Sequence, residues 1–438
     1  MERYSKYKDS GVEWIGEIPE GWSVHSLRRD FHVIAGATPK SGVSKYWNGD
    51  IPWITPADMN ANSKTISSGN RFITQEGLDS CGTALAPAGS VVVSNRAPIG
   101  QVALTTRTLC TNQGCKCLVP NSAVSTTYIY YYLSCVTAPL NAAGQGTTFL
   151  ELSKTALADF PCPIPDIQEQ QYIADYLDEK TAAIDAAMAD VERSIELLNE
   201  YRQSVISEAV TKGLDPNAPM KDSGINWIGD IPLQWTVTKI INLAIRKSGH
   251  TPDKKKEEYW QNGDIVWISL ADSPALRKQH YVSESNTMTN MEGINHSSAE
   301  LLPPGTVLLS RDASIGLTAI AATELAVSQH FMAYICGPKL YNEYLYYTFE
   351  SMQQELNRLS MGSTIPTIGL PLIHGLRIPV PPIEEQHEIV DCLQHKLNEL
   401  DSLIAQKQSL LVRLKEYRSS LISECVTGKV KVPGAKED

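Results

Sequence analysis

The sequence predicts an α+β protein built as a tandem repeat: two mixed α/β globular domains, each followed by one long helix, with the helices paired as an antiparallel coiled coil about a pseudo-twofold axis. Three observations predict it. Blocks of sequence recur at a nearly constant offset along the chain, each repeat ends in a Pro- and Gly-free stretch with apolar residues on a seven-residue ladder, and the segment joining the repeats is short.

The repeat opens with KDSGVEWIGEIPEGW at residues 8–22, which recurs as KDSGINWIGDIPLQW at 221–235. Tyr46-Trp47 and the run Gly49 to Ile54 return as Tyr259-Trp260 and Gly263 to Ile268. PAGSVVVSNRAPIG, ending at Gly100, matches PPGTVLLSRDASIG, ending at Gly316. The last block pairs PIPDIQEQ from Pro163 with PVPPIEEQ from Pro379, and EYRQSVISEAVT ending at Thr211 with EYRSSLISECVT ending at Thr427. The offset is 213 at the first block, 214 at the second and 216 from the third onward, so the insertions lie between blocks.

From Asp166 to Thr211 there is no Pro or Gly. Leu177, Ile184, Val191, Leu198 and Val205 form one ladder, with Met188 and Ile195 four residues on, which is the 3-4 spacing of a coiled-coil seam. The second copy supplies Leu393, Leu400, Leu414 and Leu421 on one ladder and Leu397, Ile404 and Leu411 on the other, broken at Lys407. Pro165 and Gly213 are the start and stop signals, and Asp166 with Glu169 has capping-box spacing. At 1.5 Å per residue the helix is roughly 69 Å long, a rod too long for one small domain to cover. Each rod carries one narrow stripe, and the matching stripe on the other rod is its expected partner. The linker Gly213–Met220 cannot carry the chain back along a rod, which favours the antiparallel pairing. The expected division is a globular domain at 1–165, a helix at 166–212, a second domain at 213–381, a second helix at 382–430 and a tail at 431–438.

Composition narrows the function. With 42% hydrophobic and 20% charged residues the chain is of ordinary globular composition, and it has no run of 18 apolar residues and no apolar leader, so cytoplasmic residence without a membrane partner is expected. Nine cysteines at irregular spacing are expected to be reduced thiols. The formal net charge of -11 argues against a nucleic-acid partner until the charge is located. Residues 22–165 hold ten Lys and Arg against seven Asp and Glu, the first helix holds four against eleven, and residues 235–381 hold twelve against thirteen. Acidity is therefore concentrated in the first rod, and any DNA binding by the domains should be modest and salt-sensitive.

Enzyme motifs are missing. There is no phosphate loop, no HExxH, no paired Cys-x-x-Cys and no amino-methyltransferase (N/D)PP(Y/F) sequence, and Gly144-Gln145-Gly146 does not complete a GxGxxG. Cys110, Cys115 and Cys117 lack a fourth ligand and are expected to be ordinary thiols, so neither a cofactor nor a metal is expected.

Taken as a set, the duplicated WIGxIPxxW openings, GATP at Gly36–Pro39 and GHTP at Gly249–Pro252, the YW and GDI(P/V)WI blocks, SNRAPIG and SRDASIG, and the duplicated helix resemble the specificity subunit of a type I restriction-modification system over essentially the whole chain. The resemblance implies that each globular domain is a target recognition domain reading one half of a split, asymmetric DNA site. It also implies that the helices fix the spacing and hold two methyltransferase (M) subunits, to which restriction and translocase (R) subunits attach. Adenine methylation and DNA cleavage would belong to those other chains, leaving this one non-catalytic. The rival readings are a protein-binding coiled-coil scaffold and the recognition part of a fused methyltransferase or nuclease.

The two halves serve as controls for each other: shared residues serve framework, backbone contact or docking, and differing ones can read different bases. The shared Trp14, Trp22, Trp47, Trp53, Trp227, Trp235, Trp260 and Trp267 are expected in the core. Arg96 and Arg311, one register apart in their blocks, either contact guanine or phosphate or brace the turn. Gln113 and Gln329 either pair with adenine or are buried, satisfied amides. The divergent DNA-contact candidates are Lys40, Lys45, Lys64 and Arg71 in the first domain and Lys254, Lys255, Lys256, Arg277, Lys278 and His280 in the second. Arg202 and Arg418, within EYR on the seam, either tie the rods or a methyltransferase together or reach out to solvent.

Overall fold

A computed structural model describes residues 2–60, 63–96, 98–145, 150–362 and 364–434. Ala97 of the SNRAPIG block, Gly146 of the glycine fragment and residues 435–438 of the expected tail lie outside the described residues. The long helices span Ile167–Lys212, 46 residues, and Ile383–Val426, 44 residues. The chain forms two compact units, Met1–Val191 with Ser409–Asp438, and Glu192–Gln408, so both boundaries fall inside long helices. Each unit therefore contains one globular domain, the start of the helix that follows it and the end of the other long helix.

In the first unit a five-stranded sheet runs in the order Phe31–Ala35, Cys115–Pro120, Val91–Ser94, Val102–Thr105, Thr65–Ile66, antiparallel except for its last pair. Val91, Val92 and Val93 are all fully buried, because the sheet is covered on both faces and no side of that strand meets water. One face meets the helix Thr126–Cys135, and the other closes a smaller core of Ile54, Ala86, Leu109 and Cys117. A three-stranded sheet pairs Trp47–Ile54 with Cys110–Thr111 and Arg71–Ile73, and a two-stranded ribbon pairs Ser23–Ser26 with Pro161–Ile164, where the chain leaves for the helix.

The second unit repeats this order with Ala244–Ser248, Phe331–Cys336, Val307–Ser310, Thr318–Ala321 and Tyr281–Val282 in its five-stranded sheet. Its three-stranded sheet is Met288–Thr289, Ile265–Ile268 and Leu325–Val327, and its ribbon is Thr236–Lys239 with Arg377–Val380. The extra residues include a short helix, Ser273–Leu276, that follows the turn Leu270–Asp272.

Within each unit the two helix segments run antiparallel. In the first, Ile173, Leu177 and Ile184 share a core with Leu421, Ile422, Cys425 and Val426, and in the second, Ile206 and Val210 share one with Ile389, Leu393, Leu397 and Leu400. The seam positions Val191, Leu198, Lys407 and Leu414 are only half-buried, so the stripe is driest where a globular domain also covers it. Gly213 and Gly428, at φ +75 and +69, stop the helices in the left-handed conformation that a side chain disfavours. The expected capping box is half present. Asp166 Oδ1 accepts from Gln168 and Glu169 amides, but the Glu169 carboxylate turns into the domain, accepting from Tyr4 Oη at 2.6 Å and Trp22 Nε1 at 3.0 Å. Burial pushes that carboxyl above the usual range, against the two hydrogen bonds.

The EQ of PxPxIxEQ has a structural role in both units. Gln170 accepts from the Ser125 amide and donates to Pro165 O, while Gln386 accepts from the Tyr341 amide and donates to Pro381 O and Lys339 O. A buried tyrosine completes the joint: Tyr128 Oη lies 2.7 Å from Pro163 O and 2.9 Å from Val426 O, and Tyr344 Oη lies 3.1 Å from Pro379 O and 3.0 Å from Val210 O. Each domain is thus fixed to the start of one helix and the end of the other. Of the shared tryptophans, Trp22, Trp47, Trp53, Trp235 and Trp267 are buried, but Trp14 is 46% exposed, stacked on Phe160, and Trp227 and Trp260 are only half-buried. No described helix is long and apolar enough to cross a membrane.

Candidate nucleic-acid interface

Three segments converge on one side of the first domain: the GATP loop from Gly36 to Tyr46, the edge around Arg71, and the Thr111–Cys115 turn. Two indoles hold the loop by its backbone. Trp53 Nε1 donates to Ala37 O at 2.9 Å and Trp47 Nε1 to Lys40 O at 3.2 Å, the two rings meeting edge-on. Thr38 Oγ1 donates to Gln113 Oε1 across the convergence, so the amide end left to the exposed Gln113 is its NH₂ donor. Arg71 sits over Trp47, its guanidinium carbon 3.5 Å from the ring centroid. Lys45 pairs with Glu76 at 2.7 Å, which with the ordinary attraction of the carboxylate raises its pKa. Lys40 is exposed.

The second domain builds the same arrangement. Trp267 Nε1 donates to His250 O and Trp260 Nε1 to Asp253 O, both at 3.2 Å, and Thr251 donates to the exposed Gln329. Lys254, Lys255 and Lys256 are exposed on this loop, and Lys256 reaches Tyr259 Oη at 2.9 Å. Neither glutamine is a buried amide, contrary to one of the two expectations for them. Thr38 and Thr251 were not singled out in the sequence, although their identical place in GxTP carried the signal.

The other candidates lie elsewhere. Arg96 and Arg311 are not equivalent: Leu152 N donates to Asn95 O as Ile368 N does to Arg311 O, so Arg311 stands where the first domain has Asn95, and Asp312 where it has Arg96. Arg96 is about half exposed and held by Glu151 at 2.9 Å and 3.1 Å. Arg311 is mostly buried and donates to Gln329 O and Ile368 O, bracing the turn. Lys64 and His280 are equivalent, each preceding the edge strand of its sheet, and both turn inward. Lys64 pairs with Asp178 of the long helix and sits over the rings of Tyr130 and Tyr131. His280 stacks on Tyr346 at 3.8 Å and meets Glu343 at 2.6 Å. Burial would raise the Glu343 carboxyl, but His280 and Tyr281 outweigh it and hold the group below its usual range. Arg277 and Lys278 line a cleft of about 940 Å³ with His280 and Arg202, and the counterpart cleft beside Arg418 in the first unit is about 670 Å³.

On the helices, Arg418 donates to Asp185 at 2.8 Å and 3.2 Å, and Arg202 to Asp401 at 3.3 Å. Cys110, Cys115 and Cys117 are buried free thiols, and burial pushes all three up, Cys110 and Cys117 to about 12. Among the described residues no group of three or more His, Cys, Asp and Glu could hold a metal ion.

A family model described as the type I restriction modification DNA specificity domain matches the chain twice, over residues 19–196 and 232–412. The type I restriction enzyme MjaIX specificity subunit of Methanocaldococcus jannaschii is similar at 27% identity, over 95% of this chain and 95% of its own. The EcoR124I/EcoR124II specificity subunit of Escherichia coli is 28% identical over 66% of this chain and 68% of its own. Among solved structures, a chain from work on complex assembly and conformational transition of the type I R-M system matches with a TM-score of 0.74 at 16% identity, over 94% of this chain and 99% of that one. The HsdS subunit from Thermoanaerobacter tengcongensis matches with a TM-score of 0.57 at 16% identity, over 94% of this chain and 98% of that one. At such identities the likeness is one of fold.

Proposed function

The chain belongs to the type I restriction modification DNA specificity domain family, and from that premise we propose that it is the DNA sequence-recognition subunit of a type I restriction-modification complex. Each globular domain reads one half of a bipartite, asymmetric site in double-stranded DNA. The helices fix the separation of the half-sites and dock M subunits, two in number, through which R subunits join. Methylation and cleavage are carried out by those partners, and this chain contributes no reacting group.

The observation that carries this reading is the repeated convergence, with the same indole clamps and the same Thr–Gln pair in both domains but different charged side chains around them. Constant backbone and variable side chains are what two domains need if they dock on the same polymer and read different bases. The formal charge does not oppose it, since the first domain is itself slightly basic and much of the acidity lies on the helix. Replacing residues 22–162 by the corresponding region of a relative, in the complex with its M subunits, should change one half of the methylated site and leave the other half intact. A change in both halves would show that the domains do not read separately, and methylation without sequence preference by the unaltered complex would remove the reading itself.

A further inference from the structure

Between Pro39 and Tyr46 the first domain carries Lys-Ser-Gly-Val-Ser-Lys at residues 40–45, and between Pro252 and Tyr259 the second carries Asp-Lys-Lys-Lys-Glu-Glu at residues 253–258. The two stretches have the same length and differ at every position. Their backbones share two turn hydrogen bonds and one pair of torsions. Val43 N donates to Lys40 O and Tyr46 N to Val43 O, as Lys256 N does to Asp253 O and Tyr259 N to Lys256 O. Val43 and Lys256 adopt φ, ψ of -104, 97 and -97, 95, each leading into one turn of 3-10 helix.

Both loops are also anchored at the same places. A Cβ on Gly36 would lie 1.9 Å from Asn112 O, and one on Gly249 would lie 2.2 Å from Ser328 O, so each loop leaves its sheet pressed against the neighbouring backbone. Each is then gripped by two indoles and one Thr–Gln bond. All of these clamps act on backbone atoms or on the shared residues. None touches the variable side chains of either loop, nearly all of which are exposed.

Core packing does not explain the divergence, because nearly all of these side chains lie at the surface, where Lys45 meets Glu76 and Lys256 meets Tyr259. Drift in an unconstrained loop does not explain the conserved length. Beyond Tyr46-Trp47, exposed connections have changed length, taking the offset from 213 to 216 and adding the helix Ser273–Leu276, while these loops stay at 213.

Resting on the reading that each domain binds one half-site, we propose that residues 40–45 and 253–258 are the interchangeable base-reading loops. Lysine is suited to the O6 and N7 of guanine, serine to either kind of edge, and the carboxylates of Asp253, Glu257 and Glu258 to the amino group of cytosine, so one backbone can present different donor and acceptor patterns. Gln113 and Gln329, identical in both domains, then serve a contact common to both halves.

The test grafts the sequence of 253–258 onto 40–45 in the full chain, assembled with its M subunits, and maps methylated positions in DNA. The first half-site should change while the second half-site and the spacer stay as they were. Methylation of the original site at the original rate would overturn the proposal and leave the domain-level reading standing. If the unaltered complex itself modifies no defined sequence, that reading falls instead. Should the graft fail to assemble, Lys40→Ala and Lys254→Ala decide the matter: each should lower the methylation rate at its cognate site by about tenfold. Lys154→Ala, an exposed lysine on the helix Lys154–Ala158, should not. Rates within twofold of the unaltered chain for both loop variants would overturn the proposal.

Discussion

The two halves of the molecule solve one mechanical problem with different chemistry. In the first, the carboxylate at the helix start, Glu169, is engaged by Trp22 and Tyr4. In the second, the equivalent indole of Trp235 is fully buried and, among the described residues, its N–H finds no acceptor. Joints that look alike in sequence are therefore not equally satisfied. What the halves share is the amide and hydroxyl set of Gln170, Gln386, Tyr128 and Tyr344, which bonds backbone and so tolerates different neighbours.

The largest asymmetry should appear in Trp22→Phe and Trp235→Phe. Both lose the same ring volume, but only the first strips a donor from a buried carboxylate, so it should cost about 1–3 kcal/mol more than the second. Hydrogen exchange of the full chain, followed peptide by peptide, reads each unit in turn. Equal losses of protection would show that the Glu169 contact carries no net stability.

A smaller difference concerns acid. Glu343 is held below its usual range and the first domain has Thr127 at that place, so only the second unit carries this linkage. For a depressed carboxyl the stabilisation is present above the unfolded pKa of about 4.3 and is lost as pH falls through the lower folded value. His280→Ala should therefore destabilise the chain in urea at pH 6, by an amount that shrinks as the pH is lowered below about 4.3 and Glu343 takes up its proton. A pH-independent loss would assign the effect to the stacking of His280 on Tyr346 instead.

The smallest expected effect separates the two seam arginines. Arg418 makes two hydrogen bonds to Asp185 and Arg202 one longer bond to Asp401, each pair partly exposed. Double-mutant cycles should give coupling below about 1 kcal/mol for both, with the Arg418 pair the stronger. A larger coupling at Arg202 would reverse that order.

Much of this fold was legible because repetition supplied the control that a single sequence lacks. The helices follow from the heptad ladder of Leu177 to Val205 and its second copy, a local signal that tertiary packing reinforces. The site was less legible. Lys64 and His280 look like free surface cations, yet each precedes a two-residue edge strand beside a pair of tyrosines that draws it inward. The one-residue register between Arg96 and Arg311 concealed opposite environments, because adjacent residues at the end of a strand point to opposite sides. The loop clamps escaped notice for another reason: indole-to-carbonyl bonds depend on backbone placement, and no spacing rule announces them.

The bond from Tyr128 to the carbonyl of Val426 spans 298 residues, and Lys431 N donates to Glu2 O across nearly the whole chain. This gives the protein an order of birth. Residues 192–408 are complete as a unit before the last helix has been fully synthesised, whereas the unit that contains residues 1–191 lacks its closing segment until the chain from Ser409 onward has been made. The half made first is thus the half finished last. During that interval the apolar faces of Ile173, Leu177 and Tyr128 wait for Leu421 and Val426, and a nascent chain stalled before residue 409 would expose them to the chaperones and proteases of its host.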